Sequence, residues 1–228
     1  MKKIIVILLI VLVATMITGC KESDGVKFKK EYESLNNKEA FSPDYKYLEL
    51  NIPKDNKIVY KSDSEIIDVI KNETAVIYFG FNSCPWCRSM VENLVEVTNN
   101  LDIKNVYYVD VKDIRDTLEV TEDGNILRTK SWTPAYRELL TLLDEHLDYY
   151  VITDKDGNEV ETKEKRIYAP NVVVVKDGKV LGLTTGVSDN LENPFGEIDE
   201  SMKKESYDML YELIKEIKPS NSCSHGAC

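Results

Sequence analysis

The sequence is poor in features that mark several common classes of protein. Its 228 residues include only two histidines and carry a formal net charge of −11. This acidic surplus argues against binding to nucleic acid and against adhesion to anionic lipid by charge. The apolar run at residues 4–13 falls short of the ~20 residues that a membrane-spanning helix needs. No internal repeat is apparent, so we expect one domain with short extensions.

The amino terminus carries a targeting segment. Lys2 and Lys3 precede the apolar run, and Gly19 stands directly before Cys20, a layout typical of a signal peptide. This segment resembles a bacterial lipoprotein signal peptide, in which cleavage before the cysteine is coupled to its lipidation. The resemblance implies that residues 1–19 are removed and that acyl chains on Cys20 hold the protein to the extracytoplasmic face of the cell membrane. An ordinary signal peptide and an uncleaved anchor are the alternatives.

The most informative stretch is an apolar strand pattern that leads into a helix at Cys84. Residues 75–81 are apolar and rich in β-branched and aromatic side chains, as in a strand buried on both faces. Pro85 suits a first helical turn, which places Cys84 at a helix N-terminus. Free N–H groups and the helix dipole stabilise a thiolate there. We predict that Cys84 attacks a disulfide and that Cys87, one turn further on, resolves the mixed disulfide.

A Cys-x-x-Cys pair can also be half of a zinc site. Such a site needs two more ligands, and the remaining candidate outside the terminal segments is His146, which we expect on a helix surface or in the core. Redox chemistry is therefore the preferred interpretation. The cysteine count agrees, because acylation of Cys20 would leave four cysteines in two close pairs, as disulfide chemistry in an exported protein requires.

The order of the predicted elements indicates an α/β fold with a parallel strand–helix–strand start. Ser62 and Glu65 form a capping-box pattern, and Thr133 before Pro134 predicts a second helix start. Asp-Gly pairs predict turns between strands. The predicted elements are strands at 57–60, 75–81, 105–111, 149–153, 158–161 and 171–182 (a pair), and helices at 62–72, 85–100, 134–147 and 198–217.

The strand, the Cys84-Pro85-Trp86-Cys87 motif and Pro170 before a hairpin together resemble the thioredoxin superfamily. The resemblance implies a thioredoxin-like α/β fold, with a central mixed sheet flanked by helices and a helical and hairpin insertion at about 113–165 before a cis-proline. It implies a cis bond between Ala169 and Pro170, although a trans proline at a strand start is the alternative. By the same resemblance, Pro170 and the Ala169 backbone position a partner strand and keep metal from the thiols, and Trp86 shapes the rim.

Gly80, the cysteine motif and the valine-rich strand before Lys-Asp-Gly-Lys are similar to the bacteriocin transport accessory group of thioredoxin-like proteins. The family implies thiol–disulfide exchange with exported proteins or peptides, without an organic cofactor or metal, and a membrane redox partner that resets the thiols. The chain departs from thioredoxin at Tyr78, where thioredoxin has a buried aspartate that helps to deprotonate the second thiol. We therefore expect the proton to be handled through water or a neighbouring carboxylate.

The flanks of the predicted domain are polar. Residues 20–44 contain few apolar side chains and are predicted to be a flexible tether with room for one short helix. The thioredoxin-like domain is expected at 45–218, and residues 219–228 form a tail that contains two cysteines.

Three interpretations of the tail stay open. Cys223 and Cys228 are a second redox pair that exchanges electrons with the first, or an inert disulfide, or, together with His225, a copper or zinc site. The competing function for the whole chain is a non-catalytic lipoprotein of the same fold that binds copper or zinc or chaperones an exported peptide.

Overall fold

The computed structural model describes residues 22–219. The predictions for Cys20, Cys223, His225 and Cys228 fall outside the described residues. Along the described part of the chain, none of the helices combines the length and the apolar character that crossing a membrane requires.

Within residues 22–219, helices and strands alternate as far as Val106–Asp110, and the later strands come in consecutive groups. The helices are α1 (Asp24–Glu33), α2 (Asp63–Asn72), α3 (Pro85–Asn100), α4 (Pro134–Leu142) and α5 (Glu200–Ile214), with 3-10 turns at Asp144–His146 and Lys215–Ile217. The strands are β1 (Ile58–Tyr60), β2 (Ala75–Gly80), β3 (Val106–Asp110), β4 (Thr117–Val120), β5 (Ile126–Lys130), β6 (Tyr149–Thr153), β7 (Glu159–Lys165), β8 (Asn171–Lys176) and β9 (Lys179–Thr184).

Five of the strands form a mixed sheet in the order β1-β3-β2-β8-β9. Strands β1, β3 and β2 are parallel, whereas β8 runs antiparallel to β2 and pairs with β9 as a hairpin. Every residue of β2 is buried, because β2 lies in the middle of the sheet and both of its faces are covered. The predicted α/β class with a mixed central sheet is confirmed.

Helices cover both faces of this sheet, and each face has its own apolar core. Helices α1, α3 and α5 pack on one face, where Phe28, Leu94 and Leu210 meet residues of β2 and β8. Helices α2 and α4 pack on the other face, where Ile66 and Leu139 belong to the second core. The sheet therefore separates two helical layers, and the ends of its central strands remain available to loops.

Helix starts follow the capping patterns of the sequence. Ser62 and Glu65 form the predicted capping box at α2, and the Thr133 hydroxyl accepts a hydrogen bond from the backbone N–H of Tyr136 at the start of α4. These contacts satisfy free N–H groups at the helix N-termini. The local sequence is therefore enough to set the residue at which each of the two helices begins.

The segment between β3 and β8 contains the predicted insertion. It holds two separate hairpins, β4-β5 and β6-β7, with α4 between them. The expected turns fall at Gly124 and Gly157, both at positive φ. The sequence predicts only a turn at Gly124, and the structure adds a strand on each side of it.

The structure describes the segment predicted as a tether at 20–44 from residue 22 onward. The short helix for which the prediction left room is present, but it packs on the domain and is not part of a flexible tether. Helix α1 begins at a Ser23 cap, and Phe28 and Tyr32 on one of its faces are 0% exposed. These two aromatic side chains, four residues apart, lie one turn apart on the helix and pack against Tyr108. The polar composition of the segment conceals this narrow apolar stripe, so α1 belongs to the domain.

Candidate active site

The dithiol lies where the central strand β2 passes into α3. The backbone N–H of Cys84 donates to the carbonyl of Phe81 at 3.1 Å, which closes the turn between strand and helix. Cys84 is the N-cap of α3, and its sulfur accepts a hydrogen bond from the backbone N–H of Cys87 at 3.2 Å. The sulfur thus takes the place of the oxygen that usually caps a helix. The predicted position of the pair at a helix N-terminus is confirmed.

The predicted cis-proline lies at the same corner. The peptide bond between Ala169 and Pro170 is cis, so the trans alternative is wrong. Strand β8 starts directly after Pro170 and pairs with β2, which brings the Ala169 carbonyl to 3.2 Å from the Cys84 sulfur. Residues that lie 85 positions apart in sequence therefore meet at one site.

Exposure distinguishes the two cysteines. Cys84 and Cys87 are both free thiols, and Cys84 keeps a 4% exposed fraction whereas Cys87 is fully buried. Trp86 between them is half-buried and packs against the core beneath α3. A visiting molecule therefore reaches Cys84 first, beside the indole of Trp86 and the Ala169 carbonyl.

The surroundings of Cys84 favour its thiolate. Burial alone would raise the pKa of Cys84, but hydrogen bonds from the Cys87 side chain and backbone, the charge of Arg115 and the Trp86 N–H together lower that pKa below its ordinary value. A lowered pKa increases the fraction of nucleophilic thiolate at neutral pH. Cys84 is thus the better nucleophile of the two.

The surroundings of Cys87 have the opposite effect. Burial raises the pKa of Cys87 well above its ordinary value, and the hydrogen bond to Cys84 and the charge of that neighbour raise it further. Cys87 therefore keeps its proton while Cys84 is a thiolate. The pair consists of one activated sulfur and one protonated sulfur in contact.

Arg115 is a site residue that the sequence analysis missed. It lies after the C-terminal end of β3, and its guanidinium lies 5.1 Å from the ring centre of Phe81, while its charge lowers the pKa of Cys84. The sequence contains a signal for it, because Arg115 follows one predicted strand and the dithiol follows another. Neighbouring parallel strands place their carboxyl ends at the same edge of the sheet.

The group that faces Cys87 is a tyrosine rather than a carboxylate. Tyr78 and Cys87 are buried in the same core cluster, and the Tyr78 hydroxyl lowers the pKa of Cys87 against the larger effect of burial. Tyr78 is fully buried, and its hydroxyl lies 2.9 Å from that of Tyr32. Tyr32 was missed because it lies in the segment that the sequence predicts to be a tether.

Arg88, directly after the dithiol, ties the N-terminal segment to the site. Its side chain is almost completely buried and donates hydrogen bonds to the carbonyl of Tyr32 and to the side chain of Asn36, each at 2.7 Å. The Tyr32 carbonyl, near the C-terminal end of α1, also accepts from the backbone N–H of Leu35 at 3.2 Å, so the guanidinium is a second donor to the end of this helix.

The metal interpretation gains no support from residues 22–219. Among them, no three or more histidine, cysteine, aspartate or glutamate side chains are grouped so that they could hold a metal ion. His146 lies in the 3-10 turn after α4 and lines a cavity with Ile70 and Lys179.

No protein-family model matches this chain, and no curated protein matches it either. What remains is the geometry of the site: a dithiol at a helix N-terminus, with one slightly exposed sulfur of lowered pKa beside a cis-proline.

Proposed function

We propose that this chain is a thiol–disulfide oxidoreductase of thioredoxin-like fold. The single observation that carries the proposal is the placement of Cys84, whose sulfur lies 3.2 Å from the Cys87 N–H and 3.2 Å from the Ala169 carbonyl. The sheet order β1-β3-β2-β8-β9, with the dithiol after β2 and the cis-proline before β8, supports the thioredoxin-like assignment.

Exchange proceeds in two balanced steps. The Cys84 thiolate attacks one sulfur of a partner disulfide, the partner S–S bond breaks, and the second partner sulfur leaves with the electron pair and takes up a proton. Cys87 then loses its proton and attacks the Cys84 sulfur of the mixed disulfide. The partner leaves as a dithiol, and Cys84 and Cys87 are oxidised to a disulfide, or the sequence runs in reverse.

The backbone beside Pro170 supports recognition of an extended partner segment. The Ala169 carbonyl faces the reactive sulfur, so a partner strand at this edge would present its disulfide to Cys84 and its backbone to Ala169. Trp86 provides an apolar rim next to the reactive sulfur. No organic cofactor is needed in this scheme, because the two cysteines hold the electrons.

The proposed location is the extracytoplasmic face of the cell membrane, through acylation at Cys20. Support comes from the sequence of residues 1–20 alone. In that location the partners are exported proteins or peptides, and a membrane redox partner resets the dithiol.

The proposal is tested by insulin reduction with dithiothreitol. We expect the wild-type protein to accelerate precipitation of the reduced insulin chains and Cys84→Ser to leave the rate at that of dithiothreitol alone. In a separate incubation with insulin and no dithiothreitol, Cys87→Ser should retain the first attack and accumulate a mixed disulfide, visible as a covalent adduct that later addition of reductant removes. Equal rates for wild type and Cys84→Ser would contradict the proposal and favour a protein that binds without turnover.

A further inference from the structure

The resolving cysteine lies at the end of a buried chain of hydroxyl groups. The Tyr32 hydroxyl on α1 lies 2.9 Å from the Tyr78 hydroxyl on β2. Tyr78 and Cys87 are buried in the same core cluster, and the Tyr78 hydroxyl is near enough to the thiol to lower its pKa against the larger effect of burial. Tyr32, Tyr78 and Cys87 are each 0% exposed. When Tyr32 donates its proton to the Tyr78 oxygen, the Tyr78 proton is free to point at the sulfur.

Gly80 keeps this arrangement in place. A Cβ atom at position 80 would lie 2.5 Å from the hydroxyl oxygen of Tyr78, a distance at which two such atoms overlap. The absence of a side chain at Gly80 therefore creates the space that the Tyr78 ring end occupies. Three separate parts of the chain, α1, β2 and α3, meet at this hydroxyl.

Neither tyrosine can act as an ionised base at neutral pH. Burial raises the pKa of both Tyr32 and Tyr78 well above the ordinary tyrosine value, so both hydroxyls keep their protons. A neutral hydroxyl in a dry environment is a hydrogen-bond donor, and a donor gains most when its acceptor becomes negatively charged.

We propose that Tyr78, oriented by Tyr32, is a positioning residue that donates a hydrogen bond to the sulfur of Cys87 as it becomes a thiolate and attacks the mixed disulfide. The inference rests on the proposed function, and it assigns a role within the second step of exchange. In that step the Cys87 sulfur loses a proton and bonds to the Cys84 sulfur. The bond from Cys84 to the partner breaks, and the partner sulfur takes the electron pair and a proton. Tyr78 is unchanged at the end.

The two steps can be followed separately with a dithiobis-nitrobenzoate reagent. Attack by Cys84 on this disulfide releases one coloured thionitrobenzoate, and attack by Cys87 on the resulting mixed disulfide releases a second. We compare wild type with Tyr78→Phe and Tyr32→Phe by stopped flow at several pH values. Tyr60→Phe is the matched control, because its hydroxyl bonds to Glu31 and its ring packs on Tyr108 in the same aromatic cluster.

We expect Tyr78→Phe to slow the second release by roughly tenfold, which is the size of effect that a hydrogen bond to a charged group gives. The rate of the second release should also begin to increase at a higher pH than in wild type. The first release should be unchanged, which also shows that the variant is folded. Tyr32→Phe should slow the second release less, and Tyr60→Phe should not change it.

The outcomes separate the inference from the proposed function. A second release that is as fast in Tyr78→Phe as in wild type would overturn the inference and leave the proposed function intact. Slowing of both releases in Tyr78→Phe, with normal kinetics in Tyr32→Phe, would mean a purely structural role and would also overturn it. A wild-type protein that shows no second release would contradict the proposed function itself.

Discussion

Two chemically identical side chains, three residues apart, acquire different properties from their surroundings. Cys84 has hydrogen-bond donors and a nearby guanidinium that outweigh its burial, whereas at Cys87 burial and the charge of Cys84 outweigh the opposing effects of Phe81 and Tyr78. Helix geometry explains the contrast. The N-cap sulfur meets the free N–H groups of the first turn, but a sulfur one turn later lies beyond them, in the buried core. The proposed division of roles between nucleophile and resolving thiol rests on this position.

Arg115 provides a test of the electrostatic part of this contrast. Replacement by alanine removes a cation whose charge favours the Cys84 thiolate, so the pKa of Cys84 should rise. The thiolate forms as pH increases, and it is the form that iodoacetamide alkylates. The pH at which the alkylation rate of Cys84 rises should therefore be higher in Arg115→Ala than in wild type.

The matched control for Arg115→Ala is Lys112→Ala, in the same loop. Lys112 contacts the hydroxyl of Ser83 at 3.3 Å, and its charge is not among the main influences on Cys84. Its replacement should leave the alkylation profile close to that of wild type. Superimposable profiles for Arg115→Ala and wild type would show that the hydrogen bonds alone activate the thiol.

At the scale of elements, α1 and the insertion both reach the site from outside the five-stranded sheet. Helix α1 supplies Tyr32, and the loop that leads into β4 supplies Arg115. Next to Arg115, the buried carboxylate of Asp116 forms an ion pair with Arg166 at 2.8 Å. Since breaking a buried ion pair is strongly unfavourable, this contact holds β4 to the segment that leads to the cis-proline. The ion pair thereby fixes the start of the insertion to the segment just before the cis-proline.

Replacement of Phe28 tests whether α1 belongs to the domain. The side chain is fully buried and lies with its ring centre 4.3 Å from that of Tyr32 and 5.1 Å from that of Tyr108. Phe28→Ala should therefore lower the free energy of unfolding by about 3–5 kcal/mol, measured by urea denaturation. Lys30→Ala, an exposed position on the same helix, should change it by no more than about 0.5 kcal/mol. A tether would tolerate both replacements equally.

At the scale of the whole molecule, local patterns were sufficient to predict the centre of the sheet and the dithiol. Strand β2 is a continuous apolar run, and Pro85 marks the helix start, so neighbouring residues carry enough information. The contacts that local patterns did not reveal are long-range. Tyr32 meets Tyr78 across 46 positions in the chain, and Asp116 meets Arg166 across 50. A tyrosine in a polar segment has no local signal for burial, because the partner that buries it is remote.

The two thiols also link the stability of the whole fold to pH. In the reduced protein, burial opposes ionisation of Cys84, but hydrogen bonds and Arg115 prevail and its pKa is lowered, whereas burial raises the pKa of Cys87. Between the lowered pKa of Cys84 and the ordinary cysteine value of about 8.5, the unfolded chain binds a proton that the folded chain has lost. Stability then rises with pH. Above about 8.5, the folded chain keeps the Cys87 proton that the unfolded chain releases, and stability falls.

The oxidised protein has neither of these thiols, so its free energy of unfolding shows neither the rise below about 8.5 nor the fall above it. We therefore expect the reduced-minus-oxidised difference in the free energy of unfolding, measured in urea between about pH 6 and pH 10, to pass through a maximum near the ordinary cysteine pKa of about 8.5. Cys84→Ser cannot form the disulfide, so its unfolding free energy is compared with that of the oxidised wild type. Because the group with the lowered pKa is gone, this difference should no longer rise with pH below about 8.5 and should still fall above it. A wild-type difference that changes in only one direction with pH would show that the two sulfurs are not shifted in opposite directions, and the division of roles between them would have to come from access alone.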